Sequence, residues 1–122
     1  MSNVEVVIID DDAWMTERYI HTLRKAGFAT AHASNAIDGI ELIDSLRPQV
    51  VILDMFMPGP NGIVLLHELA SHEDLSLIPL IVSTNSANDI PEQELKRYGV
   101  SELLDKSSMH PNDIVRAVRR VL

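Results

Sequence analysis

Short apolar runs alternate with stretches of helical spacing along the whole 122-residue chain. Val4 to Ile9 is brief, β-branched and nearly all apolar, the pattern of a strand buried on both faces of a parallel sheet. Ala29 to Ala33, Val50 to Leu53, Leu80 to Ser83 and Leu103 to Leu104 repeat it, Val50 to Leu53 most clearly and the last pair most weakly. Between them, apolar residues fall at helical intervals: Trp14, Ile20 and Leu23 to Ala26, with Arg18 among them; Ile37, Ile40, Leu42, Ile43 and Leu46; Val64, Leu65, Leu66 and Leu69. Punctuation agrees with this division. Ser34 or Asn35 can cap the second helix and Pro48 ends it, while Gly27 closes the first and Gly99 the fourth. A last helix begins beside Pro111 and runs through Ile114, Val115, Val118 and Val121.

Five strands alternating with five helices predict a doubly wound α/β domain spanning residues 1–122, with helices on both faces of a parallel sheet in the order 2-1-3-4-5. Such sheets place ligands beyond the carboxyl ends of the strands, where the winding reverses between the first and third.

Composition narrows the function. Cysteine is absent, which removes disulfides, zinc-thiolate sites and cysteine nucleophiles and agrees with a reducing cytoplasm. No run is long enough to span a membrane, and the first residues do not read as a signal sequence. A net charge of −8 sets the domain against nucleic acid and anionic membranes. The cluster Arg116, Arg119 and Arg120 reads as a solvated helix face near the negative end of the helix dipole. The histidines do not stand at metal-binding spacing: His67 and His72 are placed in one helix but on different faces, and the other three are scattered.

The predicted strand ends carry the candidate chemistry. Asp10, Asp11 and Asp12 follow the first strand, Asp54 closes the third, Ser83 and Thr84 close the fourth, and Lys106 follows the fifth. The first and third strands are expected to be neighbours, so Asp10, Asp11 and Asp54 would crowd together and repel. A hard cation such as Mg²⁺, which takes carboxylate oxygens and leaves room for phosphate, answers that charge, and Lys106 adds a second positive group. Any one of these acids taken alone could be a helix cap or turn residue. Four strand ends that each bring the type phosphoryl chemistry needs make a stronger case.

In these features the chain resembles the receiver, or CheY-like, domain of two-component signalling. The likeness rests on Asp10-Asp11 after an apolar strand, Asp54 followed by Met57-Pro58 and Asn61-Gly62, Thr84, Gly99 and Lys106, and covers Val4 to Leu122. It implies a phosphorelay switch, not a turnover enzyme, with Asp54 as phosphoacceptor. Asp11 would contact Mg²⁺ directly, Asp10 mainly through water, and Asp54 and the backbone carbonyl of Phe56 would also be ligands. Lys106 and Thr84 would hold the phosphoryl oxygens. The implied partners are a sensor histidine kinase or a histidine phosphotransfer protein, and downstream an effector reading the face of the fourth helix, fifth strand and fifth helix. A homodimer is left open.

Four positions depart from the family pattern. Leu103 replaces the aromatic switch residue, and Ser107 replaces the Pro after Lys106, so a trans peptide is expected there. Asn85 stands where a small residue is usual, which predicts slower phosphorylation. Phe56 puts an apolar ring near the path of hydrolytic water, which predicts a longer-lived phosphoprotein. Leu103, Ser107 and Asn85 keep a second class open, a pseudo-receiver that binds partners without phosphorylation. A third class, an aspartate-nucleophile phosphatase using Asp10 and Asp12, leaves Asp54 unexplained, and a flavodoxin-like carrier lacks its glycine-rich loop. Trp14 is expected near the acidic pocket, where its fluorescence would report Mg²⁺.

Overall fold

The computed structural model describes residues 4–55, 62–85 and 92–122. Its order is β1 (Val6–Ile9), α1 (Ala13–Lys25), β2 (Thr30–Ala33), α2 (Ala36–Leu46), β3 (Val50–Leu53), α3 (Gly62–Ser71), a 3-10 turn (Leu75–Leu77), β4 (Leu80–Thr84), α4 (Glu92–Arg97), β5 (Val100–Asp105) and α5 (Pro111–Val121). The strands form one parallel sheet in the order β2-β1-β3-β4-β5, as the alternation predicts.

Strand periodicity divides the core in two. Val7, Ile9, Val51, Leu53, Leu80 and Val82 face Ile43 of α2, Leu65, Leu66 and Leu69 of α3, and Leu95 of α4. Val6, Ile8, Val50, Ile52 and Ile81 face Tyr19 and Leu23 of α1 and Ile114, Ala117 and Val118 of α5. The central strands β1 and β3 are buried along their full length, which is why they read as unbroken apolar runs. In α2, Gly39 sits so close to β1 that an added Cβ would come within 2.6 Å of the Ile9 side chain. A larger residue at this position would require the Ile9 side chain to shift.

Local signals explain most boundaries. Asn35 caps α2, its side chain accepting the Asp38 N–H, so the choice between Ser34 and Asn35 falls to Asn35. Gly27 and Gly99 take φ of 99° and 78°, the left-handed conformation that ends a helix at low steric cost. α2 stops at Leu46 with Arg47, a non-glycine residue, also left-handed at φ 48°. Its guanidinium bonds the Asp44 carbonyl and carboxylate and the Asp74 carboxylate.

Two helical faces differ from the sequence expectation. On α1 the buried stripe is Thr16, Tyr19 and Leu23, and Trp14 is exposed. On α2 it is Ala36, Gly39 and Ile43, and Ile37 is exposed. In both cases small or polar-tipped residues hold close contacts while a large apolar residue one or two positions away faces outward. α3 ends at Ser71, so His72 lies beyond the helix, beside Glu68 at 3.4 Å. His67 lies 2.7 Å from the Tyr98 hydroxyl. No helix among the described residues is long and apolar enough to cross a membrane.

Candidate phosphoacceptor site

The sheet register brings the predicted acids together. β1 and β3 pair rung for rung through Ile9 and Leu53, so the residues that follow, Asp10 and Asp54, are neighbours. The Asp54 N–H donates to the Ile9 carbonyl at 2.9 Å and extends the ladder one step. Ligand atoms of Asp10, Asp11 and Asp54 all lie within 4.8 Å of one another. Asp10 and Asp54 are buried, whereas Asp11 is exposed. Asp12 belongs to the helix instead: its carboxylate accepts the Met15 N–H at 3.1 Å and caps α1. Its own N–H donates to the Asp10 carboxylate at 2.9 Å. Within the triple Asp, therefore, the capping role falls to Asp12 alone.

Lys106 enters from the end of β5. Its backbone N–H donates to the Thr84 carbonyl at 3.0 Å, fixing where the side chain starts. Its ammonium donates to Asp10 Oδ2 at 2.5 Å and to Asp54 Oδ2 at 3.3 Å, in a setting where all three side chains are at least nine-tenths buried. The peptide to Ser107 is trans, as expected. Ser107 donates to the Asp105 carboxylate through both its hydroxyl (2.6 Å) and its backbone N–H (2.9 Å). Those two bonds hold the Asp105 carboxyl below its ordinary pKa.

Charge is unbalanced at this rim. Burial raises the Asp10 carboxyl above the usual aspartate value, and the hydrogen bonds from Lys106 and Asp12 offset it only in part. Burial also opposes the Lys106 charge, but the hydrogen bond and charge of Asp10, with Asp54 beyond, prevail and raise the ammonium pKa. Were all three carboxylates ionised against one ammonium, the excess would be two negative charges. The buried pair Asp10 and Asp54, with oxygens within 4.8 Å, repels by about 3 kcal/mol at an effective dielectric of about 20, and the exposed Asp11 adds a smaller, solvent-screened repulsion. One lysine does not cancel this. A divalent cation would, and an all-oxygen donor set with one exposed member suits Mg²⁺, which keeps part of its water shell.

The other expected site residues fall as follows. Thr84 is buried at the end of β4, level with Asp105, and Asn85 beyond it is exposed. Leu103 is half-buried against the apolar cluster of the α2-α3 face, where it packs as an ordinary core residue. Phe56, the implied carbonyl ligand, lies outside the described residues. Trp14 shares the lining of a 160 Å³ cavity with Lys106, Tyr19, Met15 and Met109, and Arg18 stacks on its ring at 4.7 Å. The fifth-helix arginines Arg116, Arg119 and Arg120 are all exposed, as a solvated helix face requires. Arg120 pairs with Glu102 at 2.7 Å, while Arg116 and Arg119 join His21 and Lys25 along a groove of about 440 Å³ between α1 and α5.

One component escaped the sequence reading. Tyr19 of α1 places its hydroxyl 2.8 Å from that of Ser83, at a buried position beside the site. A tyrosine inside an apolar helical stripe reads as core, and nothing local points to its partner 64 residues away.

Comparison with known proteins agrees with this geometry. Residues 6–119 match the family model of the response regulator receiver domain. Protein PilH of Pseudomonas aeruginosa is 31% identical over 101 residues, which cover 83% of this chain and 84% of PilH. The DNA-binding response regulator MtrA of Mycobacterium tuberculosis is 28% identical over 114 residues, 93% of this chain but 48% of MtrA, so the chain spans about half the length of that relative. The chemotaxis protein CheY4 of Vibrio cholerae superposes with a TM-score of 0.88, covering 99% of this chain and 100% of CheY4 at 24% identity. The signal receiver domain of a histidine kinase from Syntrophus aciditrophicus gives 0.82 at 25% identity, covering 98% of this chain and 89% of that one.

Proposed function

Since this chain belongs to the response regulator receiver domain family of two-component systems, we propose that it is a phospho-accepting switch whose acceptor is Asp54. The observation that carries this reading is the convergence of Asp10, Asp11 and Asp54 within 4.8 Å around the buried Lys106 ammonium. Lys106 lies closer to Asp10 Oδ2 (2.5 Å) than to Asp54 Oδ2 (3.3 Å), so the choice of Asp54 as nucleophile rests on the resemblance to receiver domains.

In the proposed reaction a carboxylate oxygen of Asp54 bonds to phosphorus as the P–N bond of a partner's phosphohistidine breaks. The departing imidazole keeps the bonding pair and takes its proton from the surroundings. Lys106 balances charge on the transferring oxygens, and the Thr84 hydroxyl receives one of them. Asp10, Asp11 and Asp54 are the residues that would hold Mg²⁺, which when bound supplies positive charge at the phosphoryl oxygens. Phe56 remains the proposed fourth ligand through its carbonyl.

The phosphodonor would be a sensor histidine kinase or a histidine phosphotransfer protein, and the product a changed α4-β5-α5 face that a downstream effector reads. On this reading residues 1–122 work as one signalling domain in the cytoplasm. The net charge of −8 argues against nucleic-acid or membrane contact by the domain itself. The direct test follows intact mass with Mg²⁺ and acetyl phosphate. A phosphate adduct that disappears without Mg²⁺ and in Asp54→Asn supports the reading; a protein that stays unmodified, or an adduct that survives in Asp54→Asn, overturns it.

A further inference from the structure

The bond between Tyr19 and Ser83 joins two elements that bring different parts of the site. α1 is continuous with the acidic loop, since Asp12 caps the helix and donates to Asp10. β4 carries Ser83 and then Thr84, whose carbonyl accepts the Lys106 N–H. Ser83 stands one rung past the Leu53–Val82 pair, level with Asp54, and pairs on its other side with Leu104, two residues before Lys106. Tyr19 and Ser83 are 2% and 1% exposed, so water does not compete for their 2.8 Å contact. The Tyr19 hydroxyl also lies within the field of Lys106, Asp10 and Asp54.

Resting on the phosphoacceptor reading, we propose that Tyr19 and Ser83 are a positioning pair. Their bond ties the end of β4, and with it Thr84, to the helix that carries the acidic loop, so that the groups for phosphoryl oxygens and those for the cation keep one spacing. Neither residue touches the reacting atoms. The pair acts through what it holds, and its loss should weaken recognition of the phosphoryl group more than recognition of the metal.

The test uses the full chain and its variants Tyr19→Phe, Ser83→Ala, the double variant and Ser83→Thr. Beryllofluoride affinity is measured at saturating Mg²⁺, Mg²⁺ affinity is measured alone, and urea denaturation confirms folding. Tyr19→Phe and Ser83→Ala should each weaken beryllofluoride binding by about tenfold, roughly the worth of one buried hydrogen bond, with Mg²⁺ affinity held within about twofold. The double variant should be no worse than either single one, because one interaction cannot be lost twice. Ser83→Thr, which keeps the hydroxyl, should bind as the parent does. Parent-like beryllofluoride affinity in the single variants overturns the pair, as does a matching loss of Mg²⁺ affinity. Each single variant reads the same bond from its own side, so one that fails to fold leaves the other decisive. A parent protein that neither binds beryllofluoride nor takes phosphate at Asp54 overturns the phosphoacceptor reading as well; unchanged variants beside an active parent overturn the pair alone.

Discussion

The two faces of the sheet use the same strands differently. Toward α2, α3 and α4 the alternate residues stay apolar up to the carboxyl rim: Val7 then Ile9, Val51 then Leu53, Leu80 then Val82. Toward α1 and α5 the same alternation runs from apolar to polar in one step, Ile8 to Asp10, Ile52 to Asp54, Ile81 to Ser83, Leu104 to Lys106. A parallel sheet in register makes that step a row, because equivalent rungs of neighbouring strands stand side by side. The first face is therefore packing as far as Val82, with Thr84 next in its alternation, while the other turns from packing to chemistry one rung earlier. The low dielectric that the apolar layer creates beneath the row also strengthens the charge interactions within it.

The largest contrast should come from removing Lys106, the buried cation of the site. Lys106→Met leaves Asp10 and Asp54 buried beside each other, and breaking such a pair from one side is expected to lower unfolding stability by about 3–5 kcal/mol. Urea denaturation in chelator reads this, and Mg²⁺ should restore a larger share of stability to the variant than it adds to the parent. A variant as stable as the parent would mean that the row is not under electrostatic stress.

On the opposite face Leu66→Ala is expected to cost about 2–5 kcal/mol from lost burial and the cavity left behind. The comparison sharpens if Mg²⁺ affinity, measured calorimetrically on the folded variant, equals that of the parent. A lower affinity would show that packing on that face sets the site geometry.

Next in size is the metal itself. Ligand that binds only the folded state stabilises it by about 2.7 kcal/mol at about 100 times its dissociation constant. Thermal unfolding with and without Mg²⁺ should show that gain in the parent, and Asp11→Asn should reduce it. In chelator the same substitution should leave stability unchanged or slightly raised, because it removes one exposed charge from the repelling set.

How far the sequence was readable follows from the same geometry. β3 was legible to the residue, because a central strand buried on both faces is apolar at every position. β5 was legible only at Leu103 and Leu104, although it runs Val100–Asp105. It is an edge strand, and its pairing with β4 shifts register between Leu80 and Ile81, so Ser101 is passed over. Val100 and Leu103 consequently pack on the same side at a spacing of three, which no period-two reading finds. For the site, Asp10, Asp11, Asp54 and Lys106 could be found because each follows a strand end and strand order alone brings such ends together. Tyr19 could not, since its role depends on which way one helix turns over the sheet. Arg47 was hidden for a related reason: a left-handed helix end before Pro48 is held by contacts with Asp44 and Asp74, the latter well separated in sequence.

Arg47 also supplies the smallest prediction, because its ion pairs are exposed where those of Lys106 are buried. The hydrogen bond from Arg47 holds the Asp74 carboxyl below its ordinary value of 3.8. A carboxyl depressed on folding stabilises the native state above its unfolded pKa, and that contribution is lost as pH falls through the folded value. Acid should therefore weaken the fold below pH 3.8 partly through this group, and Asp74→Asn should flatten that part of the stability profile. Both side chains are about half exposed, so the effect should be small and should fade in high salt. The Lys106 effect, sealed from solvent, should persist under the same salt. If both effects fade together, the buried row is wetter than its packing indicates, and the contrast between the two faces fails.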